Sequence, residues 1–388
     1  MNLKIILILS LSHICIDLPG AALPAIMPLF KEHLQLSFTA VGTLVMVSYL
    51  TSSIIQPCSG YLSDKMHIKW LLPLSFLLTT AGFSFSGLAP SYPVLMMLVV
   101  MNGIGVAVYH PEGMKVMPFF SGPRMATGMS LFQVGGNLGL ALGPLLISYA
   151  VKVAGLPGTL FFLLAGLPMS LVLSLLNKEL HPTRPQAGSG LQAKETAPPT
   201  RMQGRQRTSM FLLILAVSLR SWAHMGLIYF IPFYYIQILQ GDPVSAGRLV
   251  FVFLAGGVAG TLVGGMIADR IGHKHYFLLS MLLSVPLLFT FLKVTGFWVP
   301  LILFMVGFAL ISSFSVTIVM GQRLMPERLG TASGIMTGLV IGIGGVGAGL
   351  LGLVADKWGL LTVLQLIVMM PALGSLPIFL ISYPARKA

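Results

Sequence analysis

The sequence predicts an all-α integral membrane protein in which twelve transmembrane helices form two pseudo-symmetric bundles of six. Its 388 residues are 56% hydrophobic and only 9% charged, whereas soluble chains carry about 25% charged residues. Apolar stretches of about 20 residues, long enough to cross a hydrocarbon core of about 30 Å, recur along the whole chain. Related motifs also recur in the same order in both halves. Lipid is therefore the expected solvent for most of the surface.

Twelve apolar segments are separated by short polar connections, except for one longer break after the sixth segment. The segments lie at about 4–29, 39–62, 70–90, 93–116, 125–152, 157–177, 210–238, 244–268, 276–294, 298–320, 330–354 and 360–382. The break is rich in proline, lysine and arginine, a composition typical of a flexible linker. We therefore expect an N-terminal bundle over residues 1–177, a linker over 178–209 and a C-terminal bundle over 210–388.

The basic residues predict the topology. With a cytoplasmic N-terminus, the outer loops carry Lys31, Lys152, Arg248, Lys293 and Lys357, and nearly all other lysines and arginines fall on the inner side. The positive-inside rule then places both termini and the linker in the cytoplasm. This distribution explains the net charge of +13 better than nucleic-acid binding does, because the charges do not gather on one face of a domain.

An internal repeat indicates that the two halves arose by duplication. The segment Gly60–Lys65 recurs as Gly265–Arg270, and the segment Ala126–Met129 recurs as Ala332–Ile335. Both pairs are separated by nearly the same number of residues. Self-similar pieces in one order at one spacing are the signature of repeated structural units.

The repeated acidic loops resemble the loop signature of the major facilitator superfamily, found between helices two and three and again between helices eight and nine. Asp64 and Lys65 carry it in the first half, and Asp269 and Arg270 carry it in the second. We expect these residues to form charge clusters at cytoplasmic helix ends that stabilise one conformation. Generic basic loops would not account for two aspartates at matching positions. The resemblance implies the major facilitator fold and a transport function.

A small-residue motif in the fifth span resembles one found in drug–proton antiporters of that superfamily. Gly139 and Gly143 allow two helix backbones to approach closely, and Pro144 bends the helix. The fourth span departs from the pattern of many such antiporters, because Val99 stands where they carry an arginine. This difference puts proton coupling through that position in doubt.

Four further motifs resemble the fosmidomycin resistance protein family of bacterial exporters. They are His13-xxx-Asp17, His110-Pro111-Glu112, the segment Phe132–Asn137, and Arg220-Ser221-Trp222. The resemblance covers nearly the whole chain. It implies drug resistance through efflux of small, often anionic or phosphonate-bearing compounds against entering protons.

Ionisable residues inside spans are costly and mark functional sites by default. His13 and Asp17 lie about 14 and 20 Å from Lys4 at 1.5 Å per residue, so they straddle the membrane midplane on one helix face. Arg220 and His224 repeat this spacing in the seventh span. We interpret Asp17 as a proton carrier and Arg220 as the ligand of an anion. In the alternative interpretation, Asp17 and Arg220 only neutralise each other and hold the halves together.

A second set of polar residues has weaker assignments. His110 and Glu112 lie about 27 and 30 Å from Tyr92, near the expected cytoplasmic end of the fourth span. They are candidates for a proton relay or inner gate with Arg124 or Arg323, or simply for a solvated helix end. Candidates for the cavity lining are Tyr49, Gln56, Gln133, Asn137 and Trp222. Such polar stripes are as often interhelical hydrogen bonds.

These patterns together predict a secondary active transporter that works by alternating access in the bacterial inner membrane. Its expected partners are a small-molecule substrate, protons and the lipid bilayer, and it is expected to be a monomer without cofactor, bound metal or nucleic acid. We favour a proton-coupled antiporter that exports amphipathic or anionic compounds, with an organic-anion facilitator or importer as the alternative.

Two other classes of protein remain as alternatives. A membrane-embedded metalloenzyme would use His13, Asp17, His110 and Glu112 as ligands, yet the estimated depths separate the two pairs by roughly 10 Å. A sensor with a transporter fold is the other.

Overall fold

The computed structural model describes residues 1–36, 38–66, 69–180, 204–241 and 243–383, apart from single side chains inside helices, among them that of Tyr49. Most of the predicted linker, residues 181–203, lies outside the described residues. All regular secondary structure in the described ranges is helical. The helices are α1 Leu3–His33, α2 Phe38–Met66, α3 Leu71–Ser84, α4 Tyr92–Ser121, α5 Met125–Ala154, α6 Leu163–Leu175, α7 Asn177–Leu180, α8 Gly204–Phe233, α9 Pro243–Ile271, α10 His273–Phe291, α11 Trp298–Ile311, α12 Phe314–Leu324, α13 Leu329–Gly334, α14 Val340–Trp358 and α15 Leu360–Leu380.

In the described ranges, these helices provide twelve candidate membrane crossings. Among the described residues, eleven helical stretches are long and apolar enough to span a membrane, and α2, with 29 residues, is the twelfth long helix. The helices α11 and α12 form one crossing, Trp298–Leu324, and α13 and α14 form another, Leu329–Ala355. A π-helical turn, Ile335–Leu339, joins the latter two. The fold class predicted from the sequence is confirmed.

The chain forms two compact units. The first unit comprises Met1–Pro123, Leu131–Ala193 and Glu327–Leu339. The second unit comprises Arg124–Ser130, Lys194–Pro326 and Val340–Ala388. The start of α5 therefore belongs to the second unit, and α13 belongs to the first. Each unit has its own buried apolar cluster, with Phe30, Phe83 and Phe162 in the first and Phe253, Phe291 and Tyr234 in the second.

A seam of glycines packs α5 against α1 in the first unit. A Cβ atom on Gly135, Gly139 or Gly143 would collide with a backbone oxygen of α1, that of Ser10, Ile14 or Leu18 respectively. Both sets repeat every four residues, so one face of α5 lies directly on the α1 backbone. The sequence motif Gly139-xxx-Gly143 thus extends one turn further, and it fixes the position of α1 and its ionisable side chains.

Candidate functional site

Two helices of the first unit bring three ionisable side chains together. His13 Nε2 lies 3.3 Å from Asp17 Oδ2 on α1, and His110 Nε2 of α4 lies 3.3 Å from Asp17 Oδ1. His13 is 2% exposed and Asp17 is 8% exposed. The i, i+4 spacing that the sequence indicated places His13 and Asp17 on one helix face. The third member of this cluster, His110, comes from a different helix.

The expected depth of His110 is wrong. The helix α4 continues to Ser121, where the sequence interpretation ended the span at residue 116. His110 is therefore about 16 Å from the C-terminal end of α4, and Asp17 is about 21 Å from the start of α1 at 1.5 Å per residue. These depths are close enough for the observed contact. The predicted separation of roughly 10 Å between the two pairs does not hold for His110.

Backbone carbonyls orient both imidazole rings. His13 Nδ1 lies 2.8 Å from the carbonyl oxygen of Phe132, and His110 Nδ1 lies 2.8 Å from that of Val106. A carbonyl oxygen only accepts hydrogen bonds, so each Nδ1 donates its hydrogen. Each Nε2 is thereby turned toward Asp17. Neighbours that fix a ring in this way set its tautomer.

Aromatic packing and one glycine hold the His13 ring in place. The ring stacks on Phe132 with ring centroids 4.1 Å apart, and the centroid of the Tyr109 ring lies 5.9 Å from that of His13. The Tyr109 hydroxyl is hydrogen-bonded to the hydroxyl of Ser12 at 2.5 Å. A Cβ atom on Gly136 would lie 2.5 Å from His13 Nε2 and 2.8 Å from Asp17 Oδ2. The His13–Asp17 contact therefore requires glycine at position 136.

Asp17 also faces a cavity of about 340 Å³ within the first unit. Ligand pockets typically start near 300 Å³, so the volume is sufficient for a small molecule. The cavity is lined by Asp17, Gly20, Ala21, Leu23, Pro24, Met27, Ser48, Ser52, Asn102, Gly103, Val106 and Leu140. The polar members Ser48, Ser52 and Asn102 were missed as site residues. Asn102 directly precedes the Gly103-Ile104-Gly105 motif of α4, and this motif was the sequence signal that could have identified it.

The predicted polar stripes have other surroundings. Gln56 accepts a hydrogen bond from Thr337 at 2.8 Å, which fits the interhelical alternative. Gln133 is buried, and its Oε1 has no hydrogen-bond partner among the described residues. Asn137 is partly buried. The side chain of Tyr49 lies outside the described residues.

Glu112 is bound away from the cluster. It accepts a hydrogen bond from the Ser63 hydroxyl of α2, and its Oε2 lies 3.5 Å from Lys115 Nζ. Lys115 is a partner that the sequence interpretation missed, since it suggested Arg124 or Arg323. The four ligands required by the metalloenzyme alternative therefore do not converge as a set. Pro111, which lacks an N–H, leaves the Ala107 carbonyl to accept a bond from Ser59 at 2.7 Å.

Arg220 is a buried cation in the second unit. Its Nη1 donates to the hydroxyls of Ser313 at 3.1 Å and Thr317 at 3.4 Å, and the guanidinium lies over the rings of Phe277 and Phe314. Arg220 is 3% exposed. No carboxylate lies within ion-pair distance of it among the described residues of its unit. Its Nε and Nη2 have no hydrogen-bond partner among the described residues of that unit, so this group can bind an anion in bidentate fashion.

Two neighbours of Arg220 on α8 also have unused polar atoms. His224 Nε2 and Trp222 Nε1 are buried without a hydrogen-bond partner among the described residues. His224 packs on Phe253, whereas Trp222 packs against Gly347 on another face of α8. Trp222 is therefore not beside the Arg220 guanidinium. The expected pairing of Asp17 with Arg220 would join the two units and stays a prediction.

The repeated aspartates each bind the N-terminal end of a helix. Asp64 accepts bonds from the amides of Gly330 at 2.9 Å and Thr331 at 2.7 Å, and from the Thr331 hydroxyl at 2.7 Å. Asp269 binds Ala126 and Thr127 in the same way, at 3.1, 2.8 and 2.6 Å. Each carboxylate thus caps the free amides at the positive end of a helix, α13 or α5.

We call these two contacts the Asp64 latch and the Asp269 latch. Each joins residues from both sequence halves within one unit. The sequence predicted charge clusters with the neighbouring bases Lys65 and Arg270, which are both exposed. The buried-side partners of the two aspartates are the amides at the helix ends, in addition to any pairing with these bases. The Asp269 latch also contains His273, whose Nε2 lies 3.2 Å from Asp269 and whose Nδ1 lies 3.0 Å from the Tyr383 hydroxyl. Burial raises the pKa of Tyr383, so its phenol stays protonated.

Comparison with known proteins identifies the family. The family model of the Major Facilitator Superfamily matches residues 9–348. The chain is 32% identical over 372 residues to the fosmidomycin resistance protein of Escherichia coli (strain K12), covering 96% of this chain and 91% of the relative. It is 31% identical over 381 residues to the uncharacterised MFS-type transporter YfnC of Bacillus subtilis (strain 168), covering 97% and 92%.

The fold comparison agrees. The crystal structure of the transporter FucP in the outward conformation has a TM-score of 0.75 and 15% sequence identity, covering 97% of this chain and 98% of that chain. At this identity the likeness shows the fold alone. The chain is a multi-pass membrane protein of the Major Facilitator Superfamily, whose members carry small molecules across membranes and are not enzymes.

Proposed function

We propose that this protein is a proton-coupled antiporter that exports small anionic or amphipathic compounds. Asp17 carries the transported proton, and Arg220 binds the anionic group of the substrate. The observation that carries the proposal is the buried His13–Asp17–His110 cluster, which opens on a cavity of about 340 Å³. We place the protein in the bacterial inner membrane as a monomer, with both termini in the cytoplasm.

The cluster has the chemistry of a proton site. A carboxylate near the membrane midplane is costly unless it is paired or used, and here it is paired with two groups that also exchange protons. Val99 occupies the position where many drug–proton antiporters carry an arginine. His110 on the same helix offers a different route for proton coupling.

Arg220 supplies the substrate side of the exchange. A guanidinium with unused donors between hydroxyls and aromatic faces suits a carboxylate, phosphate or phosphonate. The named relative in Escherichia coli is a fosmidomycin resistance protein, and fosmidomycin is a phosphonate. Because resistance through transport requires that the compound leaves the cell, we assign this chain the export direction for compounds of this kind.

A cycle follows from charge compensation. Protonation of Asp17 from outside and release of the anion from Arg220 belong to one half of the cycle, and proton release inside with anion binding belongs to the other. The Asp64 and Asp269 latches stabilise one of the alternating conformations, because a state in which either carboxylate leaves its helix end loses three hydrogen bonds.

The proposal is tested by transport of fosmidomycin into liposomes that contain the purified protein. An acidic interior should drive accumulation of fosmidomycin above the external concentration, irrespective of protein orientation, since antiport exchanges it for departing protons. A protonophore should abolish the accumulation, and protein-free liposomes serve as the control. Accumulation driven by an acidic exterior would show the importer alternative, and mere equilibration would show the facilitator. Either result would contradict the proposal.

A further inference from the structure

We infer that the His13–Asp17–His110 cluster holds two exchangeable protons at once, so that one transport cycle exchanges two protons rather than one. The inference deepens the proposed function and rests on it. It follows from the hydrogen-bond donors and acceptors of the cluster.

The two histidine hydrogens at Nδ1 are already committed. Each Nδ1 lies 2.8 Å from a backbone carbonyl, that of Phe132 for His13 and that of Val106 for His110. A neutral imidazole that carries its hydrogen on Nδ1 has a lone pair at Nε2 and accepts there. An ionised carboxylate also only accepts. Without further protons, each Nε2 lone pair would therefore point at a carboxylate oxygen of Asp17, and neither atom of either contact would carry a hydrogen to donate.

Each of the two contacts then needs a proton of its own. His13 Nε2 faces Oδ2 of Asp17, and His110 Nε2 faces Oδ1, both at 3.3 Å. The two oxygens are different atoms, so one proton cannot serve both contacts. The cluster consists of one carboxylate and two imidazoles in close contact, with two protons between them, wherever each proton resides. Its net charge is +1.

Within the described part of the chain, no neighbouring group supplies either hydrogen. Asp17 has no other hydrogen-bond or ion-pair partner among the described residues. On α4, the Tyr109 hydroxyl contacts Ser12 and the Leu9 carbonyl, and Glu112 pairs with Lys115. From α5, Phe132, Gly136 and Gly139 lie against the cluster, and none of them carries a charge. The α2 residues that line the cavity, Ser48 and Ser52, carry no charge either.

The two protons are coupled. Loss of one leaves a lone pair against a carboxylate oxygen in a buried site, which opens that contact, and it also removes the repulsion between the two protons, so they leave in separate macroscopic steps that belong to the cluster as a whole. The cluster therefore alternates between a closed state with two protons and an opened state in which Asp17 is free toward the cavity. Gly136 makes the closed state possible, because any Cβ there would occupy the His13–Asp17 contact.

The stoichiometry is measured as the fosmidomycin gradient that a pH gradient sustains at zero net flux, with the membrane potential clamped by potassium and valinomycin. Two protons per substrate anion predict a concentration ratio of that anion of about 100-fold per pH unit, and one proton predicts about 10-fold. A ratio near 10-fold in the wild type would overturn the two-proton inference while leaving proton-coupled export intact. The absence of any sustained gradient would overturn the proposed function and this inference with it.

A variant separates the two contacts. In His110→Gln the amide donates a hydrogen to Asp17 that does not titrate, so the ratio should fall to about 10-fold per pH unit. His275→Gln, an exposed histidine of α10, is the matched control and should keep the wild-type ratio. A His110→Gln protein that sustains the wild-type ratio of about 100-fold would contradict the assignment. If that variant does not fold, the wild-type ratio alone decides.

Discussion

Replacement of Gly136 by alanine tests whether the close contact within the cluster is needed for transport. The new methyl carbon would lie 2.5 Å from His13 Nε2 and 2.8 Å from Asp17 Oδ2, where ordinary contacts of carbon begin near 3.5 Å. The His13 ring cannot swing away freely, because Phe132 stacks on it and the carbonyl of Phe132 holds its Nδ1. The side chains must therefore separate by roughly 1 Å.

The expected cost has two contributions. Overpacking in a close-packed interior costs about 1–3 kcal/mol, and loss of a charge-assisted hydrogen bond costs about 1.5–3 kcal/mol. Because part of the strain is relieved by breaking the bond, we expect about 2–4 kcal/mol against the closed cluster. This corresponds to roughly 30- to 700-fold in the population of that state.

The assay is fosmidomycin accumulation in acid-interior liposomes, together with the thermal stability of the purified variant in detergent. Gly136→Ala should retain its helical fold and lose most gradient-driven accumulation. Gly352→Ala on α14 is the matched control, since no atom lies within 4 Å of a Cβ there, and it should transport normally. Wild-type accumulation by Gly136→Ala would refute the reasoning that a closed His13–Asp17 contact carries the proton.

Three further predictions address the latches, the anion site and the topology. Asp64→Asn removes the charge and one acceptor from the α13 end, so turnover should fall about 10-fold with little loss of expression; wild-type rates would show that the loop is only a topology signal. Arg220→Lys should raise KM for fosmidomycin about 10-fold, because an ammonium lacks the bidentate fork; an unchanged KM would place the anion elsewhere. A cysteine introduced as Ser189→Cys should react with membrane-impermeant reagents only in everted vesicles, and labelling of intact cells would contradict the cytoplasmic linker.

The crossings could be predicted because hydrocarbon thickness fixes the length of an apolar helix. The main error concerned where α4 ends. The prolines Pro111 and Pro118 lie inside the helix and do not end it. The helix ends at Gly122, which has a φ of 59° and precedes Pro123. A glycine followed by proline is a recognised helix-end signal. Greater weight on that signal would have put His110 at the depth of Asp17.

The site was only partly predictable because half of its contacts are tertiary. The spacing of His13 and Asp17 along one helix gives their contact directly. The contact with His110, and the Phe132 carbonyl that orients His13, depend on how α4 and α5 pack on α1. Residue type does not encode this, although the glycines of α5 hint at the close approach.

The repeat also had limited predictive value. It correctly paired Asp64 with Asp269, since both cap helix starts in the same manner. Gly345 follows Gly139 at the same offset of 206 residues that relates Ala126 to Ala332. The packing at these glycines differs, because a Cβ on Gly139 meets α1 whereas nothing lies within 4 Å of one on Gly345. Duplicated sequence therefore preserved the latches, and the packing of the two glycine helices diverged.

The central claim is that Asp17 couples proton movement to substrate movement, and Asp17→Asn tests it most directly. Asparagine keeps the size of the side chain but cannot take up or release a proton. Two activities are measured in the same liposomes: accumulation of fosmidomycin driven by an acidic interior, and exchange of labelled for unlabelled fosmidomycin without a gradient. The account predicts that Asp17→Asn loses the accumulation and retains the exchange. Undiminished accumulation by Asp17→Asn would contradict it and move the proton site away from Asp17.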